Sequence, residues 1–163
     1  MNWDAIAAIS EIVGAFAVLI TLIYLSIQVR DNTKTVKSDN VHRVTDSFNA
    51  LNMLIASDAD LADIWFKGVA DFEALNETEK ARFGFIQLAG FRIYDSLYYQ
   101  IQQATGDVQL WNAELGTMRW LFAYPGMRAW WRQQRFGFSA QFKEYIDGVV
   151  SELSGDDGEG RRR

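Results

Sequence analysis

Between Ile12 and Ile27 the chain carries no charged side chain, and from Ala5 to Val29 the only charge is Glu11. A bilayer span needs about 20 mostly apolar residues, each rising ~1.5 Å along a helix. Ala5 to Ile27 therefore reaches roughly 35 Å, enough to cross with some tilt. Trp3 and Tyr24 stand near the two ends of the stretch, where amphipathic rings favour a membrane–water boundary. A cleavable signal peptide begins with a basic region and has a shorter apolar run. This segment begins instead with Asp4 and holds no Lys or Arg before Arg30. The competing reading is a buried core helix, which rarely tolerates so long a charge-free run.

Charge orients the span. Arg30, Lys34, Lys37 and Arg43 follow it closely, and basic residues stay on the cytoplasmic side. The N-terminus is thus expected outside the inner (cytoplasmic) membrane, with the bulk of the chain in the cytoplasm. The same cations are expected to meet anionic lipid, each contributing about 1 kcal/mol.

One stripe of the span is made of small and polar residues: Ala7, Ser10, Gly14, Ala17, Thr21, Tyr24 and Gln28. Small residues allow close helix approach in lipid, and polar ones hydrogen-bond across helices. The stripe marks an expected homo-oligomer interface, unless it reflects only the abundance of such residues in spans. Glu11 beside it has two readings. It is an ion or proton site formed by several copies, near a pore mouth. Alternatively it sits solvated at headgroup depth near a helix N-terminus, where the dipole favours an anion.

The remaining chain reads as helices with short breaks. Val41, Val44, Phe48, Leu51 and Ile55 form one apolar stripe, ending at Ser57–Asp60. Leu61, Ile64, Trp65 and Val69 suggest a short helix. Asn76 with Glu79 predicts a capping-box start. The helix it opens has Phe83, Ile86, Gly90, Ile93, Leu97 and Ile101 on one face, with Phe85, Leu88, Phe91 and Tyr98 on a second. Gly106 is the expected residue beyond its end. Leu110, Trp111, Leu115, Met118 and Phe122 predict another helix, and Met127, Trp130 and Trp131 a short one. Ser139 caps a last helix carrying Phe142, Tyr145, Ile146, Val149 and Leu153. The fold class is all-α, a single N-terminal transmembrane helix plus a soluble helical bundle. The expected organisation is a span over 1–30, then a juxtamembrane linker or helix continuation over 31–40. A helical bundle over 41–153 follows, then a disordered tail over 154–163.

The run WDAIAAISEIVGAFAVLITLIYLSIQVRDNT resembles the start of a family of short bacterial proteins. The shared features are the ending YLxxQxRxNT and a TDSFN-like stretch at Thr45 to Asn49. A tyrosine-rich RIYDSLYYQ helix and a segment of the form PGxRAWW then FSxxF, from Pro125 to Phe142, complete them. The resemblance covers nearly the whole chain. It implies a span followed by a helical cytoplasmic domain, and it carries no activity, cofactor or catalytic residue.

Chemistry is sparse. The chain has no cysteine and one histidine, His42. Cysteine-based metal centres and paired Glu-x-x-His di-iron sites are therefore excluded. No nucleophile motif surrounds His42, and no phosphate-cradling loop appears. The expectation is no catalytic, metal or cofactor site, and no enzyme. A net charge of −5 argues against nucleic acid. Arg92, Asp95, Tyr94 and Tyr98 cluster on the most apolar helix, as an internal polar network or as the lining of a ligand pocket.

Met118 to Lys143 holds Arg119, Arg128, Arg132, Arg135 and Lys143 with no acid, interleaved with Trp120, Trp130, Trp131, Phe136, Phe138 and Phe142. Ser57 to Glu79 is the reverse, with seven acids against Lys67. These segments pair with each other, or pair between subunits, or place Arg128, Arg132 and Arg135 on lipid. In the simplest case the tryptophans are core and the arginines cover them. The leading functional expectation is a membrane-anchored, self-associating interaction or scaffold protein, whose protein partner the residues do not specify. The alternatives are a homo-oligomeric ion channel and a membrane-tethered binder of a small ligand.

Overall fold

The computed structural model describes the backbone of residues 3–159, and the side chains of Trp3 and residues 11–154. Six α-helices account for most of it: α1 Trp3–Ala56, α2 Ala59–Ala70, α3 Glu77–Gln102, α4 Val108–Phe122, α5 Pro125–Gln134 and α6 Ala140–Glu159. Single 3-10 turns, Phe72–Ala74 and Arg135–Gly137, precede α3 and α6. No strand occurs among the described residues. The chain divides into two units, Met1–Asp39 and Asn40–Arg163.

The first unit is a single stretch of α1. Every described side chain from Glu11 to Val36 is exposed. This helix is long and apolar enough to cross a membrane, and none of its apolar window is buried. Thr21 Oγ1 donates to the Ala17 carbonyl at 2.8 Å, and Gln28 Nε2 donates to the Tyr24 hydroxyl at 2.8 Å. Thr21, Tyr24 and Gln28 of the stripe thus find partners within their own helix.

The second unit is a helical bundle. Its helix starts follow local side-chain chemistry. Asp58 Oδ1 accepts from the Leu61 amide at 3.0 Å, and Asp107 Oδ1 from the Gln109 and Leu110 amides, each at 2.9 Å. Asn76 and Glu79 form a reciprocal capping box. Ser139 Oγ accepts from the Phe142 amide at 3.3 Å. Each such cap satisfies an amide left orphaned by helix geometry, contributing about 1 kcal/mol. Pro125 opens α5, where its missing N–H costs no bond.

α3 packs against α2, α4, α5 and α6. Phe83, Ile86, Phe91, Tyr94 and Leu97 on α3 are buried, together with Trp130 and Trp131 of α5 and Phe142 and Ile146 of α6. Phe85 departs from the expected pattern: it is 73% exposed. Leu88, Phe91 and Tyr98 of the same face do pack on the core, and Gln87 is buried as well.

The end of α3 also differs from expectation. The residue in left-handed conformation is Ala104, with φ 56°, rather than Gly106. Gly106 serves a different need. A Cβ there would lie 2.9 Å from Ile101 Cδ1 and 3.0 Å from the Ile101 nitrogen, so only glycine fits the returning chain. α6 remains helical to Glu159, past Leu153 where its apolar pattern ends. Residues 160–163 of the tail lie outside the described residues.

The tightest backbone approach joins α2 to α5. A Cβ on Gly126 would overlap the Gly68 carbonyl oxygen and reach 2.5 Å from the Val69 carbonyl oxygen. Neither neighbour is a side-chain tip that can swing away. Gly126→Ala is expected to destabilise the bundle by about 3 kcal/mol, read as a lower urea midpoint. Ala104→Gly should act in the opposite sense. It relieves left-handed strain of about 1–2 kcal/mol, less the added freedom of the unfolded chain. A net gain of about 0.5–1 kcal/mol is expected in the same titration.

Candidate ligand cleft

The second unit contains a cleft of about 300 Å³ between the end of α1 and helices α2, α3 and α4. This lies at the lower edge of small-molecule pockets. Four helices build it. α1 supplies Phe48, Leu51, Asn52 and Ile55, α3 supplies Ile86, Gln87, Gly90, Phe91 and Tyr94, and α4 supplies Glu114, Thr117, Trp120 and Leu121. Trp65 comes from α2. Steps of three and four along each helix put these side chains on one side.

Gly90 sets how closely α1 approaches α3. A Cβ there would stand 3.2 Å from Leu51 Cδ2, tighter than ordinary contact. Beside it, the Phe48 and Tyr94 rings meet at 4.9 Å between centroids.

Polar groups are few and specific. The Tyr94 hydroxyl donates to the Glu114 carboxylate. Burial pushes the Tyr94 phenol well above its usual range, and the neighbouring Glu114 charge adds to the shift. Burial likewise raises Glu114 above the ordinary glutamate value of 4.5, against the opposing hydrogen bond from Tyr94. Gln87 is only 5% exposed, and its Nε2 has no hydrogen-bond partner. Leaving a buried donor unmade costs about 1–3 kcal/mol.

The cleft brings together residues that the sequence pattern kept apart. Tyr94 belongs to it, through Glu114. Arg92 is exposed and forms no ion pair with Asp95. Asp95 instead receives the Ser139 hydroxyl at 2.7 Å and the Ser139 amide at 3.2 Å, tying α3 to the start of α6. Tyr98 packs among the Trp111, Phe142 and Tyr145 rings. The four residues therefore form no single network. Arg92 and Arg43 share a shallow groove with Asn40, Ser47, Ser96 and Gln100.

The basic aromatic segment also divides. Trp130 and Trp131 are core residues, whereas Trp120 is 52% exposed on the cleft rim and Phe136 is exposed. Arg119 pairs with Glu152 at 2.8 Å, and Arg135 with Asp147 at 2.6 Å, both acids on α6. Arg128 Nη1 donates to the Phe122 and Ala123 carbonyls at 2.8 and 3.0 Å, closing the end of α4. The acidic segment finds its cations near itself: Lys67 with Glu79, Lys80 with Glu73, and Arg82 with Asp58. Between the two segments, Gln133 Nε2 donates to the Glu73 carboxylate at 2.8 Å.

Glu11, Gly14, Ala17, Thr21, Tyr24 and Gln28 are exposed on α1, as are Arg30 and Lys34. The side chains of Ala7 and Ser10 lie outside the described residues. Among the described residues, no group of three or more His, Asp or Glu side chains is placed to hold a metal ion. Compared with known proteins, the chain matches no family model, no curated protein and no solved structure.

Glu114 gives the cleft a pH signature. Its folded value lies above 4.5, so the folded chain holds the proton more tightly than the unfolded one. Its contribution to stability therefore rises as pH falls from neutral through the folded value, and levels off below the unfolded value. Glu114→Gln should remove that rise. Thermal melts at pH 7 and pH 5 should show the wild type gaining on the variant at the lower pH.

Proposed function

We propose that this chain is a membrane-anchored helical interaction module. α1 supplies the anchor through residues Ala5 to Val29, and the second unit is presented to the cytoplasm. The supporting observation is that Ile12, Val13, Phe16, Leu19, Ile20 and Ile23 are all more than half exposed on one continuous helix. Water penalises each exposed aliphatic side chain by about 1.5–3 kcal/mol relative to burial, and lipid removes that penalty. Satisfied backbone groups make the helix tolerable in lipid, and Thr21 and Gln28 add satisfied side chains.

Orientation in this reading follows from Arg30, Lys34, Lys37 and Arg43, with the N-terminus outside. Association between copies follows from the small-residue stripe. At Gly14 no heavy atom lies within 4 Å of a built Cβ, so the position is open to a second helix. The module would then gather copies of itself and whatever the cytoplasmic unit binds.

Fractionation tests the anchor. The chain should sediment with membranes, resist carbonate and high salt, and enter solution with detergent. Recovery in the aqueous fraction without detergent would overturn the reading. Because the chain has no cysteine, single substitutions report topology cleanly. A membrane-impermeant maleimide should label Asn2→Cys in intact cells and leave Ser151→Cys unlabelled until lysis. Gly14→Leu with Ala17→Leu should lower cross-linked dimer severalfold, and unchanged cross-linking would remove the self-association part alone.

A further inference from the structure

The α1–α3–α4 cleft has a composition that selects among ligands. Its walls are aromatic and aliphatic: Phe48, Trp65, Phe91, Trp120, Leu51 and Leu121. Among the described residues, its one charged lining residue is Glu114, and no Lys, Arg or His lines it. An anion entering it would face a carboxylate in a partly desolvated site, with no counter-charge. A cation would meet that carboxylate together with aromatic faces, which attract ammonium groups by about 0.5–2 kcal/mol. Deeper in the wall, Gln87 Nε2 is a buried donor without an acceptor. Neighbouring cleft groups do not supply one: among the described residues no acceptor stands within hydrogen-bond reach of Gln87 Nε2. The missing partner is thus an acceptor atom carried by whatever fills the space.

We infer that this cleft binds a small organic cation: an ammonium group on an apolar body, with a carbonyl or hydroxyl oxygen within a few bonds of the nitrogen. The ammonium lies against Glu114 and the aromatic walls. The oxygen accepts from Gln87. The apolar body displaces solvent from Leu51, Phe91 and Leu121. Phospholipid headgroups fit poorly, since their phosphate would share the site with Glu114. The inference stands on the second unit, Asn40–Arg163, and does not depend on where the apolar stretch Ala5 to Val29 resides.

Three probes of similar size separate the terms. Phenylalaninamide carries an ammonium and a carbonyl, N-acetylphenylalaninamide is neutral, and N-acetylphenylalanine is an anion at pH 7. Binding to the purified full chain in micelles is read by saturation-transfer NMR and isothermal titration, with protein-free micelles as reference. The cation should bind at least tenfold more tightly than the neutral probe, and the anion should show no saturable binding. Glu114→Gln should erase the preference for the cation while sparing the neutral probe. Gln87→Leu should weaken the cation and the neutral probe severalfold. Circular dichroism and melting curves check that each variant stays folded, and the wild-type ranking stands without them. Equal affinity for all three probes, preference for the anion, uptake in proportion to micelle partitioning, or no saturable binding of the cation at millimolar concentration would each sink the inference.

Discussion

The bundle depends on one aromatic cluster. Phe91 of α3 is nearly inaccessible, and its ring lies 5.1–5.6 Å, centroid to centroid, from Tyr94, Phe122, Trp130 and Trp131. Phe138, in the turn before α6, completes the group at 6.2 Å and stacks on Trp131 at 5.2 Å. One side chain thereby links α3, α4, α5 and the entry to α6. Rigid rings of this size bury much surface with little loss of freedom, and tilted or edge contacts suit their quadrupoles. The price of that commitment falls on the opposite edge of α3. Gln87, Gly90 and Tyr94 are left to α1 and α4, and the space there is incompletely filled. The cleft is the geometric remainder of a core packed toward α5.

Polar interactions then fix what the rings leave free. Asp147 on α6 accepts from Trp131 Nε1 at 2.9 Å and pairs with Arg135, so one carboxylate holds a core indole and a surface guanidinium. Asp95 does the same work between α3 and Ser139. Exposed pairs such as Lys80 with Glu73 contribute less, since water screens them. The hydrogen bond from Lys80 still holds the Glu73 carboxyl below its ordinary value. The backbone N–H of Asn76 lowers Glu79 similarly, with Lys67 adding to it. Those contributions are present above 4.5 and fade as pH falls through the folded values, opposite in sense to Glu114.

Much of the fold was legible because it rests on short-range rules. Asn76 with Glu79 and the Ser139 cap are local hydrogen-bond chemistry, readable from a few adjacent letters. For Trp130 and Trp131 the sequence left several readings open, and the simplest, a place in the core, is the one they take. What escaped required tertiary knowledge. Phe85 is exposed and Gln87 buried because the neighbouring helices, not sequence period alone, decide which edge of α3 is covered. Arg92 and Asp95 stand three apart, a spacing that permits pairing, yet Ser139 competes for Asp95 from a distant element. Glu114 sits in an unremarkable stretch, VQLWNAELG, and only the approach of Tyr94 gives it a role. Ala104 takes the left-handed position although a glycine stands two residues later. The crowding around Gly106 explains why that glycine is needed elsewhere.

The placement of indoles has an optical consequence. The chain has six tryptophans, and they fall into distinct settings. Trp130 and Trp131 are sealed in the core, with Trp111 also buried, while Trp65 and Trp120 border the cleft and Trp3 lies on α1. Emission from the sealed group reports melting of the bundle, and quenching of the border pair reports events at the cleft mouth. Folding and occupancy are thus written into one fluorescence spectrum by residues already present, without an added dye.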